Sequence, residues 1–260
     1  MTTLTNRIMI TRPREVSSFI ATLDSSEPTA LTACPGRTVH LIGSHMAGSY
    51  KEMTRHVDAY LAGKPLTRSR MFEEREPEFR NLSSPDLIAA VDRNESQLRS
   101  SMSELIEREP DATLMWTSRM VRADGFLKHS RNECAVHRWD VTGDDDESMT
   151  LLSQQELFEH VLSFIGAAPM TARGFASGAG RGRSLTARVR ATGQPDLEIR
   201  VIGGVPAFQA VPPMGEALIE CDPAARVLLL WGRRAVPFHR VVCNGSGEDL
   251  LRLQWLLAGY

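Results

Sequence analysis

Apolar residues recur every three or four positions through most of the first 167 residues, which is the period of amphipathic helices. The second of these helices ends before Gly63 and Pro65, two residues that stop helices. A charged connection, Lys64 to Ser84, separates it from the third. The pattern predicts five helices in this part of the chain: Pro13 to Leu23, Thr38 to Leu61, Pro85 to Arg108, Ser118 to Val141, and Ser153 to Ala167.

The pattern changes after Gly174 to Gly182, a glycine-rich stretch that predicts a linker or loop. Alternating and continuous apolar runs then predict four strands: Leu185 to Val189, Leu197 to Ile202, Pro206 to Val211, and Ala217 to Cys221. Asp222-Pro223 is a helix-start signal, and Glu248 to Leu257 predicts a closing helix. The predicted fold class is therefore α+β, with a helical bundle over residues 1–168 and a smaller α+β domain over residues 175–260. We expect the active cleft where the two domains meet, because ligands often bind at domain interfaces.

The fourth predicted helix carries a carboxylate and an imidazole, Glu133 and His137, four residues apart. This spacing places both side chains on one face, and together they can bind a divalent metal ion. A third ligand must come from elsewhere, and His45 on the second helix is the candidate. The alternative interpretation is an ordinary surface pair. His129 lies equally far from Glu133 but ~12 Å along the axis from His137, so the two histidines cannot bind the same ion.

Two motifs then suggest a family. The chain resembles the DinB-like metalloenzymes, in the branch of mycothiol-dependent maleylpyruvate isomerases and mycothiol S-transferases, at Thr38-Val39, His45-Met46-Ala47-Gly48 and Glu133-xxx-His137-Arg138-Trp139-Asp140. The run Val227-Leu-Leu-Leu-Trp-Gly-Arg-Arg234 is similar to the core of the small C-terminal domain of this branch. The resemblance implies a four-helix bundle that holds a divalent metal, with zinc as the first candidate. Its ligand pattern falls on His45, Glu133 and His137.

The resemblance also implies mycothiol as a thiol cosubstrate. Three protein ligands leave a coordination position open, as in catalytic rather than structural zinc sites. A thiol bound there would lose its proton at neutral pH. The preferred prediction is an S-transferase that joins this thiol to a small electrophile, in natural-product biosynthesis or detoxification. A maleylpyruvate-type cis-trans isomerase is one alternative, and a non-catalytic metal-containing binding or regulatory module is another.

Further residues are assigned roles around this predicted metal. Asp140 lies one turn beyond His137 and can orient an imidazole from outside the ligand shell. Arg119 and Arg122 share the helical stripe of Glu133 and His137. Arg122 would act in catalysis with Asp140 and Arg119 would bind the thiol, although a bundle-facing stripe with Arg122 reaching the surface explains the spacing equally well. Arg233 and Arg234 are further candidates for binding an anionic ligand.

The arginines between Arg68 and Arg80 are predicted to be solvated, although their segment could instead form the wall of a pocket. Cys134 is predicted to be a buried, inert thiol. The formal net charge of −2 gives no electrostatic case for nucleic acid or a membrane surface, and no apolar run is long enough to span a bilayer. Four scattered cysteines without a CxxC motif suggest free thiols in a reducing cytoplasm. The expected partners are a small thiol and a small electrophile.

Overall fold

The computed structural model describes residues 10–117, 119–166, 184–202, 205–233 and 240–257. By their contacts the residues form two compact units that divide between Gly143 and Asp144. The predicted boundary between residues 168 and 175 lies outside the described residues and stays a prediction. The structure combines an N-terminal helical region with a C-terminal sheet region, which confirms the predicted α+β class.

The first unit contains six helices and a β-hairpin among its described residues. Its elements are α1 (Arg14–Ser25), α2 (Val39–Leu61), α3 (Phe72–Arg75), α4 (Pro77–Arg80), α5 (Ser84–Arg108), β1 (Thr113–Trp116), β2 (Arg119–Arg122) and α6 (Ala123–Thr142). The four long helices α1, α2, α5 and α6 pack on one another as a bundle. Its core includes Phe19, Tyr50, Val91, Leu98 and Phe126, all buried at the helical spacing seen in the sequence.

The prediction that the fourth helix begins at Ser118 is wrong. Residues 113–116 and 119–122 instead form an antiparallel hairpin in which Trp116 pairs with Arg119, and α6 begins only at Ala123. The chain turns at Thr117, whose φ of 44° lies in the left-handed region. Each strand is only four residues long, so the alternation of buried and exposed residues along it is too short to be recognised in the sequence. The spacing of the helical stripe is the longer and stronger pattern there.

The connection between α2 and α5 is ordered against α2 and contains α3 and α4. Its approach to α2 is close at one point, where a Cβ added to Gly48 would lie 2.8 Å from the carbonyl oxygen of Arg75. Only a residue without a side chain fits between the two backbones here.

The second unit contains four helices and five strands among its described residues. These are α7 (Asp146–Leu152), α8 (Gln155–Gly166), β3 (Leu185–Ala191), β4 (Asp196–Ile202), β5 (Val205–Val211), β6 (Ile219–Cys221), α9 (Pro223–Leu230), β7 (Val241–Cys243) and α10 (Gly247–Leu256). The sheet order is β5-β4-β3-β6-β7, with β3 and β6 parallel and the other pairs antiparallel. Asp222 caps α9 by accepting from the Ala225 amide at 2.9 Å, as its sequence signal predicts.

Helices α7 and α8 belong to this second unit rather than to the bundle. Both pack against α9, and Phe164 of α8 lies 5.5 Å from Trp231, ring centre to ring centre. Trp231 is buried. In the described residues, no helix is long and apolar enough to cross a bilayer.

Candidate functional site

Three potential metal ligands converge inside the first unit. His45 comes from the second turn of α2, and Glu133 and His137 come from successive turns of α6. The Oε2 atom of Glu133 lies 3.3 Å from His45 Nε2 and 3.7 Å from His137 Nε2. One donor atom from each residue lies within 4.8 Å of the other two. The structure thus brings together the three residues that the sequence analysis selected.

In the triad of His45, Glu133 and His137, a buried carboxylate lies at the Nδ1 atom of each histidine. His45 Nδ1 lies 2.8 Å from Glu76 Oε1, and His137 Nδ1 lies 2.8 Å from Asp140 Oδ2. A carboxylate at Nδ1 favours the tautomer with the proton there, which leaves the Nε2 lone pair facing Glu133. Two imidazole nitrogens and one carboxylate oxygen, oriented in this way, fit a divalent cation. Asp140 therefore has the position that the sequence predicts, behind His137.

Glu76 is a residue of the site that sequence reasoning did not find. It precedes α4, its side chain is 0% exposed, and it also accepts from Arg37 at 3.2 Å and from Arg80 at 2.6 Å. Burial alone would raise the pKa of Glu76, but the hydrogen bonds from His45 and Arg80 lower it to about 2. The one signal in the sequence is that Pro77, next in the chain, favours a helix start. Glu76 and His45 are 31 residues apart, and a separation of this length does not predict contact between two side chains.

The charges inside the site are set by burial and by these neighbours. Burial opposes ionisation of Glu133, yet the neighbouring imidazoles of His137 and His45 hold its pKa well below the usual range. Burial lowers the pKa of His137, but Asp140 and Glu133 outweigh it and the net shift is upward. Burial lowers the pKa of His129 to about 4, so that imidazole is neutral at pH 7. The site therefore presents an ionised carboxylate between two imidazoles.

The two rival histidines lie away from the converging atoms. His129 Nε2 is 3.9 Å from Oε1 of Glu133, whereas His45 and His137 approach Oε2, and the ring of His129 packs against Trp116. His56 Nε2 lies 3.2 Å from Ser69 Oγ, and its ring also contacts Trp116. Neither histidine belongs to the group of converging ligand atoms in the described chain.

We expect His56→Ala to keep the metal content of the wild-type protein. His56 is eleven residues beyond His45, ~16 Å along α2, so its removal does not touch the ligand atoms. Elemental analysis of the purified variant measures this. A variant that folds but has lost its metal would contradict the assignment of His45 as the ligand from α2.

The predicted catalytic role of Arg122 finds no support in its position. Arg122 ends β2, is exposed, and pairs with Asp111 at 3.0 Å and with Asp124 at 3.3 Å. The sequence placed it on the helical stripe of Glu133, but the hairpin removes it from that helix. Of the two open interpretations, the surface one matches the structure.

The other predicted binding arginines have different environments. Arg119 is buried on β2, where its Nη1 donates to Thr117 Oγ1 at 3.4 Å and its charge helps to lower the pKa of His129. Arg233 follows α9 in the second unit and donates to the carbonyl of Trp231. Arg234 lies outside the described residues. Thiol binding by these three arginines stays a prediction.

The prediction that the arginines from Arg68 to Arg80 are solvated is wrong for one of them. Arg75 is 4% exposed, and its guanidinium lies over the rings of Phe72, at 4.9 Å, and Trp116, at 5.4 Å. Sequence composition could not reveal this, because the residue is buried only once α3 docks on α2 and the hairpin supplies Trp116.

Cys134, next to Glu133 in the sequence, is a buried thiol. Its Sγ lies 2.9 Å from the hydroxyl of Tyr50, which is itself buried. Burial raises the pKa of Cys134 far above that of a free thiol, so no thiolate forms at neutral pH. Cys134 therefore does not act as a nucleophile.

Comparison with known families agrees with this geometry. Residues 13–142, half of the chain, match the model of the mycothiol maleylpyruvate isomerase N-terminal domain, and the stretch contains the whole triad. The chain belongs to this family. Membership in the mycothiol maleylpyruvate isomerase family confirms the resemblance seen in the sequence.

Two solved structures share the fold of this family member. One is a crystal structure of the mycothiol-dependent maleylpyruvate isomerase, with a TM-score of 0.60 and 16% identity; the other is a histidine-to-alanine mutant of the mycothiol-dependent maleylpyruvate isomerase, with a TM-score of 0.63 and 14% identity. Each similarity covers 88% of both chains. At these identities the similarity establishes a common fold. No curated protein matches the sequence significantly.

Proposed function

We propose that this protein is a metal-dependent enzyme that uses mycothiol to isomerise a small electrophilic substrate with a cis double bond. The observation that carries the proposal is the triad of His45, Glu133 and His137, with a buried carboxylate behind each imidazole. A purely structural cluster does not require both histidines to present Nε2 to one point. The family name supports mycothiol as the thiol.

Five residues of the chain have two different roles at this site. His45, Glu133 and His137 would hold the cation, for which zinc is the first candidate because it favours nitrogen and oxygen donors of this kind. When bound, such a cation lowers the pKa of a thiol so that its thiolate is available at neutral pH. Glu76 and Asp140 keep a proton on each Nδ1 and fix the orientation of the two rings.

Among the two enzymatic activities, the comparisons favour the isomerase. The S-transferase preferred by the sequence analysis has no support in them, because both the family and the similar structures carry the isomerase name. In an isomerase, the sulfur bonds to one carbon of the double bond and the π pair moves to the conjugated carbonyl. After rotation, the pair returns and the carbon–sulfur bond breaks, which regenerates the thiol.

The deciding experiment measures how much mycothiol is consumed for each molecule of product formed. The metal-loaded protein is incubated with a limiting amount of mycothiol and an excess of maleylpyruvate, and both are followed by chromatography and mass spectrometry. An isomerase converts many equivalents of substrate and leaves the thiol intact, whereas a transferase stops when one thiol has been consumed for each product. Retention of metal with no response to mycothiol would instead indicate a non-catalytic binding module.

We expect Glu76→Gln to weaken metal binding by about 10- to 100-fold without preventing folding. Glutamine keeps the size of Glu76 but lacks the charge that orients His45, so the ligand is retained and held less well. Asp140→Asn should act similarly through His137. Competition with a metal-binding dye measures both affinities.

Glu78→Gln is the matched control for Glu76→Gln. Glu78 lies two residues away, is exposed, and pairs only with Lys51 among the contacts described. Equal affinities of Glu76→Gln and Glu78→Gln would show that the buried carboxylate does not support the ligand.

A further inference from the structure

Arg75 differs from the other arginines of the connection between α2 and α5. Arg68 pairs with Glu74, Arg70 with Glu52, and Arg80 with Glu76, and all three are less buried than Arg75. Arg75 is 4% exposed, its Nε is buried without a hydrogen-bond partner, and no carboxylate in the described residues forms an ion pair with it. A guanidinium in this state has lost hydration without gaining an anion in return.

The nearby carboxylates are already engaged by other groups. Glu76 binds His45, Arg37 and Arg80. Glu52 binds Arg55 and Arg70, and Glu133 faces His45 and His137. These three carboxylates act on Arg75 only through their charge, and the effect of Glu133 is the largest. The protein thus supplies a favourable field at Arg75 but no direct partner.

Arg75 is also fixed in position next to the triad. Its guanidinium lies over the rings of Phe72 and Trp116, and stacking of this kind leaves the edge of an arginine available for hydrogen bonds. The ring of Phe72 in turn packs edge-on against that of His45, with centroids 5.2 Å apart. The ring of Phe72 therefore lies between the guanidinium of Arg75 and the ring of His45, a candidate metal ligand.

We propose that Arg75 binds the carboxylate of a ligand that sits at the triad, and so selects an anionic reactant. Arginine suits this role because its planar group can donate two parallel hydrogen bonds to a carboxylate. The inference rests on the proposed function in one respect, namely that the reactants bind beside His45, Glu133 and His137. Mycothiol has no free carboxylate, because its cysteine carboxyl forms an amide bond, so the carboxylate belongs to the electrophile.

The test uses the full-length, metal-loaded protein and isothermal titration calorimetry. Maleate and its uncharged diamide represent the electrophile, and N-acetylcysteine methyl ester, whose carboxyl is not free, represents the thiol. Arg75→Gln should weaken binding of maleate by about 10- to 100-fold and leave binding of the two neutral probes unchanged. Arg75→Lys, which keeps the charge, should retain part of the affinity for maleate. Arg68→Gln replaces an exposed arginine on the same segment; it is the control and should bind all three probes normally.

The pattern of losses tests whether Arg75 binds the carboxylate of the electrophile. A loss confined to maleate supports the proposal. Equal weakening of charged and neutral probes, or no change in either, overturns the proposal, and Arg75→Lys applies the same criterion if Arg75→Gln fails to fold. Metal content measured in parallel separates this result from a failure of the proposed function, because loss of anion selectivity with full metal loading concerns Arg75 alone.

Discussion

Replacing His137 with alanine should abolish binding of the divalent cation proposed for the triad, and with it the proposed thiol-dependent activity. His137 supplies one of the three donor atoms that converge in the described part of the chain, and the two that remain, from His45 and Glu133, belong to different helices. Loss of a direct ligand should exceed the roughly 100-fold effect of losing an outer hydrogen-bond partner. The measurements are metal content by elemental analysis and turnover with mycothiol at saturating substrate.

His129→Ala is the control for His137→Ala, because both residues are buried histidines of α6 that lie near Glu133. We expect His129→Ala to retain its metal, since its Nε2 faces the other oxygen of Glu133. The opposite outcome, in which His129→Ala loses the metal and His137→Ala keeps it, would show that the ligand register on α6 is wrong by two turns.

Glu52→Ala should destabilise the first unit by about 3 kcal/mol. The carboxylate is 0% exposed and accepts from Arg55 at 2.5 Å, from the Arg70 side chain at 2.7 Å and from the Arg70 amide at 2.7 Å. Its removal leaves these donors half-buried without their acceptor and releases the connection from α2. Urea denaturation followed by circular dichroism measures the free energy of unfolding.

The pH dependence of this effect has a definite sign. Burial would raise the pKa of Glu52, but its hydrogen bonds with His56, Arg55 and Arg70 hold it far below the usual range. The stabilisation is therefore present at neutral pH and is lost as the pH falls below about 4, where an unfolded glutamate becomes protonated. Lys51→Ala removes a surface ion pair one residue away and should cost less than about 1 kcal/mol. A comparable cost for both variants would contradict the role given to Glu52.

The bundle and the triad were accessible from the sequence because both follow helical periodicity. Glu133 and His137 share a face by spacing alone, and the family motif around His45 supplied the partner helix. The predicted second helix, Thr38 to Leu61, agrees with α2 within one residue, since Thr38 caps it and Gly63 follows its end. Local signals of this kind do not depend on the rest of the chain.

Unlike Asp140, the supporting residues Glu76 and Arg75 were not accessible from the sequence, because their roles arise only from tertiary contacts. Glu76 and Arg75 are adjacent in a segment whose composition is typical of an exposed connection. Glu76 accepts from His45 and Arg37 of other segments and from Arg80, four residues along the chain, and Arg75 is enclosed by the rings of Phe72 and Trp116. The hairpin that carries Trp116 was not predicted either. Arg119 and Arg122 happen to have the helical spacing of Glu133 and His137, so the sequence suggested that α6 begins before them.

The close approach of the Gly48 and Arg75 backbones limits which substitutions this site can accept during evolution. Any side chain at that position would push the backbone of Arg75 away from α2, and Phe72 and Glu76 would move with it. A lineage could change the exposed arginines of the connection one by one, but a substitution at Gly48 would disturb the orientation of His45 and the anion-binding arginine in a single mutational step. Variation in reactant preference is therefore more accessible through Phe72 or Trp116, which border Arg75, than through the helix beneath them.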